Sequence, residues 1–333
     1  SHFGSCMLVR SFQALWRSSF PAARANALST AHAYYSVVGI PVAQMALAKA
    51  RALRAEMPAA LATMHGDVEG YEWWEKYADL LEDARVEYGA LHAELYGPRE
   101  RVADWLQPEV RRALADGSHR ALASVLREVC KDSAGYAVYQ IDLVRPEFCD
   151  LLLQELDHIE ASGIPLRRPN GMNRYGAILS QLGFQEGLLE PLMAEVVAPF
   201  TRMLWPEWVA PSDLDEVYGF VVRYKIGEDV DLAEHADTSN ATLNLCLGRA
   251  FQGGDLYFKG VRCTESQGDT TEHAVVHRKG VAVLHLGGHF HGVRPLTDGE
   301  RSNLVLWGTG KQGLVRIRPT TPREASAPSL CVA

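Results

Sequence analysis

Two side chains able to hold a metal stand one residue apart in Glu234-His235-Ala236-Asp237. On a strand, residues i and i+2 leave the same face, so this spacing pairs an imidazole with a carboxylate. One more imidazole completes the two-histidine, one-carboxylate facial triad that suits iron(II) and leaves three coordination positions open. Alone, His-x-Asp often arises by chance as a surface pair, so the third ligand matters most. The segment His285-Leu-Gly-Gly-His289-Phe-His291-Gly-Val-Arg-Pro295 offers three histidines. His291 is the best placed: it lies 54 positions after Asp237 (291 − 237), just before Gly292-Val293-Arg294-Pro295, a turn into the next hairpin. His289 shares its face if the segment stays extended, as a neighbour of the site or an alternative ligand. His285 and His289 otherwise read as core or pocket residues.

Ten residues past His291, Arg301 heads the run Ser302-Asn303-Leu304-Val305-Leu306-Trp307. A buried guanidinium is costly unless a carboxylate faces it, and its planar fork matches one end of a diacid. The plain alternative is an ion pair with Asp298 or Glu300.

The elements that must position these residues follow from periodicity. From about 40 to 130 apolar residues recur at helical spacing, and Tyr71 to Tyr96 reads as one or two amphipathic helices. After Gly135, Tyr136 to Val144 alternates like a half-buried strand, and Pro146 opens a helix to about Ala161. A further helix is expected over Glu186–Leu204. Short β-branched or aromatic segments follow: Glu216–Tyr224, Ala241–Leu247, Gly254–Phe258, His273–Arg278, Val281–Leu286, Ser302–Gly308 and Leu314–Ile317. Strands so spaced predict a sandwich or jelly roll. The expected organisation is α+β: a helical region over 1–135, a β domain over 136–320 and a flexible tail over 321–333.

A chain of 333 residues with 47% hydrophobic and 22% charged residues can bury a full core, as one large domain or two modest ones. Its net charge of −8 argues against nucleic acid as the partner, since phosphate binding relies on clustered Lys and Arg. No apolar run reaches the roughly 18 residues of a membrane span. The six cysteines are scattered with no Cys-x-x-Cys pair, which fits a reducing compartment and a soluble, cytoplasmic protein. Residues 7–57 carry five arginines before the first acidic residue, Glu56, and are rich in Ala and Ser. That is transit-peptide composition and would mean organelle import; the alternative is a basic helical stretch of the mature protein.

The stretch from about Tyr136 to Gly308 resembles the prolyl-4-hydroxylase-like branch of the iron(II)- and 2-oxoglutarate-dependent dioxygenases. Within it, the 2-oxoglutarate and iron-dependent oxygenase domain-containing proteins are most similar. The resemblance rests on Arg168-Pro-Asn-Gly-Met-Asn-Arg-Tyr-Gly176, Val221-Val-Arg-Tyr224, His235-Ala-Asp237, Thr242-Leu-Asn-Leu245, Gly253-Gly-Asp-Leu-Tyr-Phe258, His291-Gly-Val-Arg-Pro-Leu296 and Gly299-Glu-Arg301. It implies a double-stranded β-helix with His235, Asp237 and His291 as iron ligands and Arg301 on the distal carboxylate of 2-oxoglutarate. Tyr224 matches a family tyrosine that reaches the same carboxylate, against the reading of a core tyrosine with a satisfied hydroxyl. Thr242, Asn244 and Cys246 alternate on one strand face and are candidates to line the co-substrate pocket. Asn303 stands where many relatives place a small polar residue.

The implied reaction consumes O2, decarboxylates 2-oxoglutarate to succinate and CO2, and hydroxylates a C–H bond, with ascorbate as an optional accessory. The carboxylate at Asp237 predicts hydroxylation, since halogenating relatives have a small residue there. By resemblance the substrate is a prolyl or lysyl side chain of a protein; Met172–Gly176 reads as a substrate-facing or a capping loop. Trp205 and Trp208 read as an aromatic wall or as core. Alternatives are a small-molecule hydroxylase, a non-catalytic metal-binding module and, against the acidic charge, a nucleic-acid demethylase.

Overall fold

The computed structural model describes residues 45–57, 68–98, 101–316 and 330–331. The chain forms two compact units, a smaller one up to Leu91 with Glu155–Arg167, and a larger one of His92–Gln154 with everything from Arg168.

In the smaller unit, helices α1 (Met45–Glu56) and α2 (Val68–Tyr88) meet at Ala50 and Ala84, with Ile164, Leu47, Leu81 and Tyr88 against them. Alanine at the contact lets the backbones approach. Arg51 Nε donates to the Ser162 carbonyl at 2.7 Å. The helix expected over Tyr71–Tyr96 stops at Tyr88 because Gly89 takes φ 82°, the left-handed conformation that ends helices, and its N–H returns to the Arg85 carbonyl. Ala93–Tyr96 is a separate 3₁₀ turn. Of the candidate transit segment, residues 7–44 lie outside the described residues.

In the larger unit come α3 (Val102–Trp105), α4 (Pro108–Asp116) and α5 (His119–Ser124). Pro108 pre-sets the first turn of α4, and the N–H of Gly117, at φ 67°, closes it on the Ala113 carbonyl at 2.9 Å. Ser118 Oγ caps α5 by accepting from the Ala121 N–H. Strands β1 (Arg127–Lys131) and β2 (Ala137–Asp142) then pair antiparallel. The boundary expected at 135/136 therefore moves to 91/92: a stretch read as helical already contains a sheet strand, and α3–α5 cluster with the sheets. α6 (Pro146–Ala161) has the expected bounds, burying Phe148, Cys149 and Leu152 in the larger unit.

The segment expected as one helix over Glu186–Leu204 is wound wider for most of its length, as π turns over Gln185–Leu189 and Leu192–Val197, before α7 (Ala198–Leu204). Trp205 and Trp208 are buried, edge-on to Tyr139 and Tyr136, so they belong to the core and not to an open wall.

The remaining strands are β3 (Gly176–Ile178), β4 (Glu216–Lys225), β5 (Leu232–His235), β6 (Ala241–Gly248), β7 (Phe251–Gly253), β8 (Leu256–Val261) and β9 (His273–Val275). β10 (Val281–Leu286), β11 (His289–Val293), β12 (Leu296–Thr309) and the short pair β13 (Val315–Arg316) and β14 (Leu330–Cys331) follow. The larger sheet runs β1-β2-β10-β6-β12-β4-β3, with β7 against β12, and the smaller runs β5-β11-β8-β9. From β4 to β12 the chain passes back and forth between the two sheets, staying in the larger for β6–β7 and in the smaller for β8–β9, which is a jelly roll and the expected double-stranded β-helix. Between them lies an apolar core drawn from both sheets, including Phe220, Val222, Val283 and Val305 from the larger and Leu256, Phe258 and Val293 from the smaller. Of the tail expected over 321–333, Leu330–Cys331 pairs with β13 instead of fraying. Among the described residues no helix is long and apolar enough to cross a membrane.

Candidate metal and co-substrate site

Cross-strand pairing brings the distant histidines together. His291 on β11 stands opposite His235 at the end of β5, and their rings lie 4.3 Å apart between centroids. Asp237 is not on the strand, as the i, i+2 reading assumed: β5 ends at His235, and Asp237 is held beside it by its N–H donating to the Gly287 carbonyl at 2.8 Å. A Cβ on Gly287 would sit 2.0 Å from the Ser239 carbonyl, so only glycine allows this approach. The potential ligand atoms of His235, Asp237 and His291 all lie within 4.8 Å of one another. Asp237 and His291 are buried, while His235 is half-buried and marks the open side.

The donor set fits a cation. Nδ1 of His235 faces the Ala233 carbonyl and Nδ1 of His291 faces the His289 carbonyl, each at 2.9 Å. A carbonyl only accepts, so both Nδ1 atoms carry a proton, and in its neutral form each ring turns its Nε2 lone pair inward. Those Nε2 atoms lie 3.4 and 3.8 Å from Asp237 Oδ1. Two lone pairs and a carboxylate aimed at one point repel unless a positive charge stands between them. Burial alone would raise the Asp237 pKa, but the adjacent His291, His235 and His285 outweigh it and hold the carboxyl well below its usual range. Burial likewise opposes a proton on His235, yet Asp237 lifts its pKa.

The three histidine candidates separate. The β8–β11 register slips between His289 and His291, so they do not share one environment as an ideal strand would have it. His289 is buried with Nε2 unpaired and its pKa pushed down to about 4 by burial. His285 directs Nδ1 to the Leu286 carbonyl at 2.8 Å and stands behind the carboxylate, its Nε2 3.9 Å from Asp237 Oδ2.

Thr242 lies opposite His285 on β6, and its hydroxyl donates to Asp237 Oδ2 at 2.6 Å. It supports the carboxylate from the strand face expected to line the co-substrate pocket. Asn244 Oδ1 accepts from Asn303 Nδ2 at 2.6 Å, and the same nitrogen lies 3.0 Å from His277 Nδ1. Asn244 is thus tied up within a buried polar cluster that sequence reasoning missed, because His277 enters it from the loop between β9 and β10. Thr242→Val keeps the shape and removes the hydroxyl, so metal affinity should fall about 10- to 100-fold, the usual cost of an outer-shell partner, with folding retained. Metal titration followed by competition with a chelator checks this.

Arg301 is fully buried opposite Tyr224 in the β12–β4 register, its guanidinium 4.9 Å from the Tyr224 ring and 5.6 Å from that of Phe251. Nη1 donates to the Gly254 carbonyl, while Nε and Nη2 have no partner among the described residues. The alternative partner Glu300 is committed to Lys225 and Arg249, at 3.4 and 2.8 Å. Burial lowers the Arg301 pKa against the pull of Tyr224, Cys246 and Asp255. Along β6 the inward side chains run from Thr242, bonded to Asp237, through Asn244 to Cys246, which stands opposite Asn303, two residues along β12 from Arg301. One strand face therefore links a cation-shaped centre to an unsatisfied guanidinium.

Several known proteins are similar to this chain. The family description OGFOD2-like domain matches residues 85–210, which include the Arg168–Gly176 motif and end before His235. The 2-oxoglutarate and iron-dependent oxygenase domain-containing protein CP2 of Arabidopsis thaliana is 35% identical over 242 residues, 70% of this chain and 59% of that protein. The human 2-oxoglutarate and iron-dependent oxygenase domain-containing protein 2 is 40% identical over 195 residues, 58% of this chain and 52% of that protein. The human multifunctional procollagen lysine hydroxylase and glycosyltransferase LH3 is 28% identical over 244 residues, 69% of this chain and 30% of that protein. This chain spans about half the length of its oxygenase-domain relatives, from 44% to 63%. Residues 85–210 match the OGFOD2-like domain description, and over half or more of its length the chain is similar to the 2-oxoglutarate and iron-dependent oxygenase domain-containing proteins.

Proposed function

We propose that this chain is an iron(II)- and 2-oxoglutarate-dependent dioxygenase that hydroxylates a C–H bond on a lysyl or prolyl residue of a protein. The observation that carries the reading is the buried Arg301, two of whose guanidinium nitrogens have no partner among the described residues, on the same sandwich interior as a three-ligand centre whose lone pairs converge. His235, Asp237 and His291 would hold the iron, and Arg301 would take the far carboxylate of 2-oxoglutarate, with Tyr224 beside it. Bound iron would supply O2 activation coupled to decarboxylation of the keto acid. The protein's part is positional: the Nδ1–H bonds fix both imidazoles, Thr242 and the Gly287 carbonyl fix Asp237, and the apolar core keeps bulk water from Arg301. The choice of substrate class is supported by the similarity to a protein named as a procollagen lysine hydroxylase.

Succinate release from 2-oxoglutarate in air, with iron(II) and ascorbate, is the test. The purified chain should turn over slowly alone and faster with lysyl- or prolyl-containing peptides, which should gain one oxygen by mass. Faster turnover with a metabolite and not with any peptide would move the substrate class to small molecules. Failure to bind both iron and 2-oxoglutarate would overturn the oxygenase reading and leave a different binding function.

A further inference from the structure

Between Arg168 and Gly176 the chain forms a polar relay whose direction is forced. Asn170 Oδ1 lies 2.8 Å from the Met172 N–H and 2.7 Å from the Asn173 N–H. Backbone amides only donate, so this atom is the amide oxygen and the Asn170 Nδ2 must donate. It does so to Asn173 Oδ1 at 3.1 Å, which leaves Asn173 Nδ2 as a donor in turn. That nitrogen lies 3.4 Å from the Tyr224 hydroxyl oxygen. The phenol therefore accepts from Asn173, and its hydrogen has no protein acceptor among the described residues.

The relay is anchored at each step. Asn173 is 1% exposed. The next residue, Arg174, donates from its backbone N–H and its Nε to the buried Asp229 carboxylate, at 2.7 and 2.9 Å. The Tyr175 carbonyl accepts from the Arg223 N–H at 3.1 Å, and Gly176, at φ +133°, begins β3 with its α-carbon so close to β4 that a Cβ would sit 1.9 Å from the Val221 carbonyl. Tyr224 is two residues along β4 from Val222, the β4 partner of Gly176, and directly opposite Arg301.

We propose that Asn173 is a positioning residue that, through the Asn170–Asn173 relay, holds the Tyr224 hydroxyl as a hydrogen-bond donor toward a carboxylate on Arg301. This inference rests on the co-substrate reading above. It follows that the loop carrying the exposed Met172 is tied by one chain of hydrogen bonds to the floor of the anion pocket. A carboxylate on Arg301 gains the phenol hydrogen and stiffens that loop.

Substitutions at Asn173 separate this role from a structural one. An aspartate would keep the oxygen that accepts from Asn170 but would also accept from Tyr224, turning the phenol hydrogen away from the pocket. A loop-building role alone makes Asn173→Asp milder than Asn173→Ala; the polarity relay makes it the more severe. Calorimetric titration of 2-oxoglutarate into the full chain loaded with manganese(II) should show affinity reduced about 10-fold or more in Asn173→Asp and less in Asn173→Ala. In a Tyr224→Phe background the same aspartate should add under about 2-fold, since the coupled partner is gone. Should Asn173→Asp not fold, as read by thermal melting, Asn170→Asp carries the test: it keeps both backbone bonds, loses the donor to Asn173 and should weaken 2-oxoglutarate in the same direction. A penalty that persists undiminished in the Tyr224→Phe background reflects added charge alone and overturns the relay, as does Asn173→Ala binding like the parent. A parent that binds no 2-oxoglutarate overturns the co-substrate reading itself and the relay with it.

Discussion

Asp237→Ala is expected to abolish both metal binding and succinate release. Asp237 is the single carboxylate of the three converging ligands, and its Oδ1 is the atom both Nε2 lone pairs approach. Without it two neutral imidazoles face each other across a gap, with no anion to offset the charge of a divalent ion. The loss should exceed the about 10- to 100-fold that removing an outer-shell partner costs. A bound ligand stabilises the native state by about 2.7 kcal/mol at a hundred times its dissociation constant. Anaerobic melting with and without iron(II) or manganese(II) therefore reads the effect directly: the parent's midpoint should rise with metal and the variant's should not move. A variant that still gains stability from metal would place the centre elsewhere, with His285 and His289 as the next ligands to remove.

Arg301→Met should divide stability from co-substrate binding. The guanidinium is fully buried, and among the described residues only Nη1 is satisfied, by the Gly254 carbonyl. Burial disfavours its charge. Methionine keeps most of the stem's packing and removes that unpaired charge, at the cost of one backbone acceptor. Buried ionic groups replaced by apolar ones of similar volume are often neutral or stabilising. The ligand-free variant should therefore unfold at the same or higher urea concentration than the parent. Affinity for 2-oxoglutarate should fall by roughly 30- to 4,000-fold, since truncating one partner of a buried charge pair costs about 2–5 kcal/mol. Arg301→Lys should recover only part, because a point charge cannot form the parallel fork. An Arg301→Met protein that unfolds more easily and binds 2-oxoglutarate normally would make this arginine structural.

Much of the larger unit was legible from periodicity. Glu216–Tyr224, Ala241–Leu247 and Val281–Leu286 are strands within a residue or so of their expected ends, because short apolar and aromatic runs of this length, too short for a buried helix, read as strands. Pro146 and Ala161 bound α6 as expected, since proline at a first turn is a strong start signal. Strands β1, β3, β5 and β7 were not legible. Each is short, and three of them are only half-buried or exposed for most of their length, so their sequences carry little alternation. Their pairing partners, not their composition, make them strands. The division at 91/92 escaped for the same reason, because β1 joins the sheet through contacts with β2 that a helical period cannot announce.

At the site, residue types and order alone named His235, Asp237, Arg301 and three candidate histidines, because a facial triad and a diacid clamp demand imidazole, carboxylate and guanidinium whatever the fold. Tertiary structure decided the rest. Cross-strand register set His291 against His235, and a slip in that register separated it from His289. Thr242 turned out to serve Asp237, and Asn244 to join Asn303 and His277, since a hydroxyl or amide bonds whatever folding brings within about 3 Å. The direction of the Asn170–Asn173–Tyr224 relay likewise emerges only once backbone amides and side chains are placed together. Chemistry that depends on the kind of side chain can be read along the chain, whereas chemistry that depends on which lone pair meets which proton is settled by contacts between residues far apart in it.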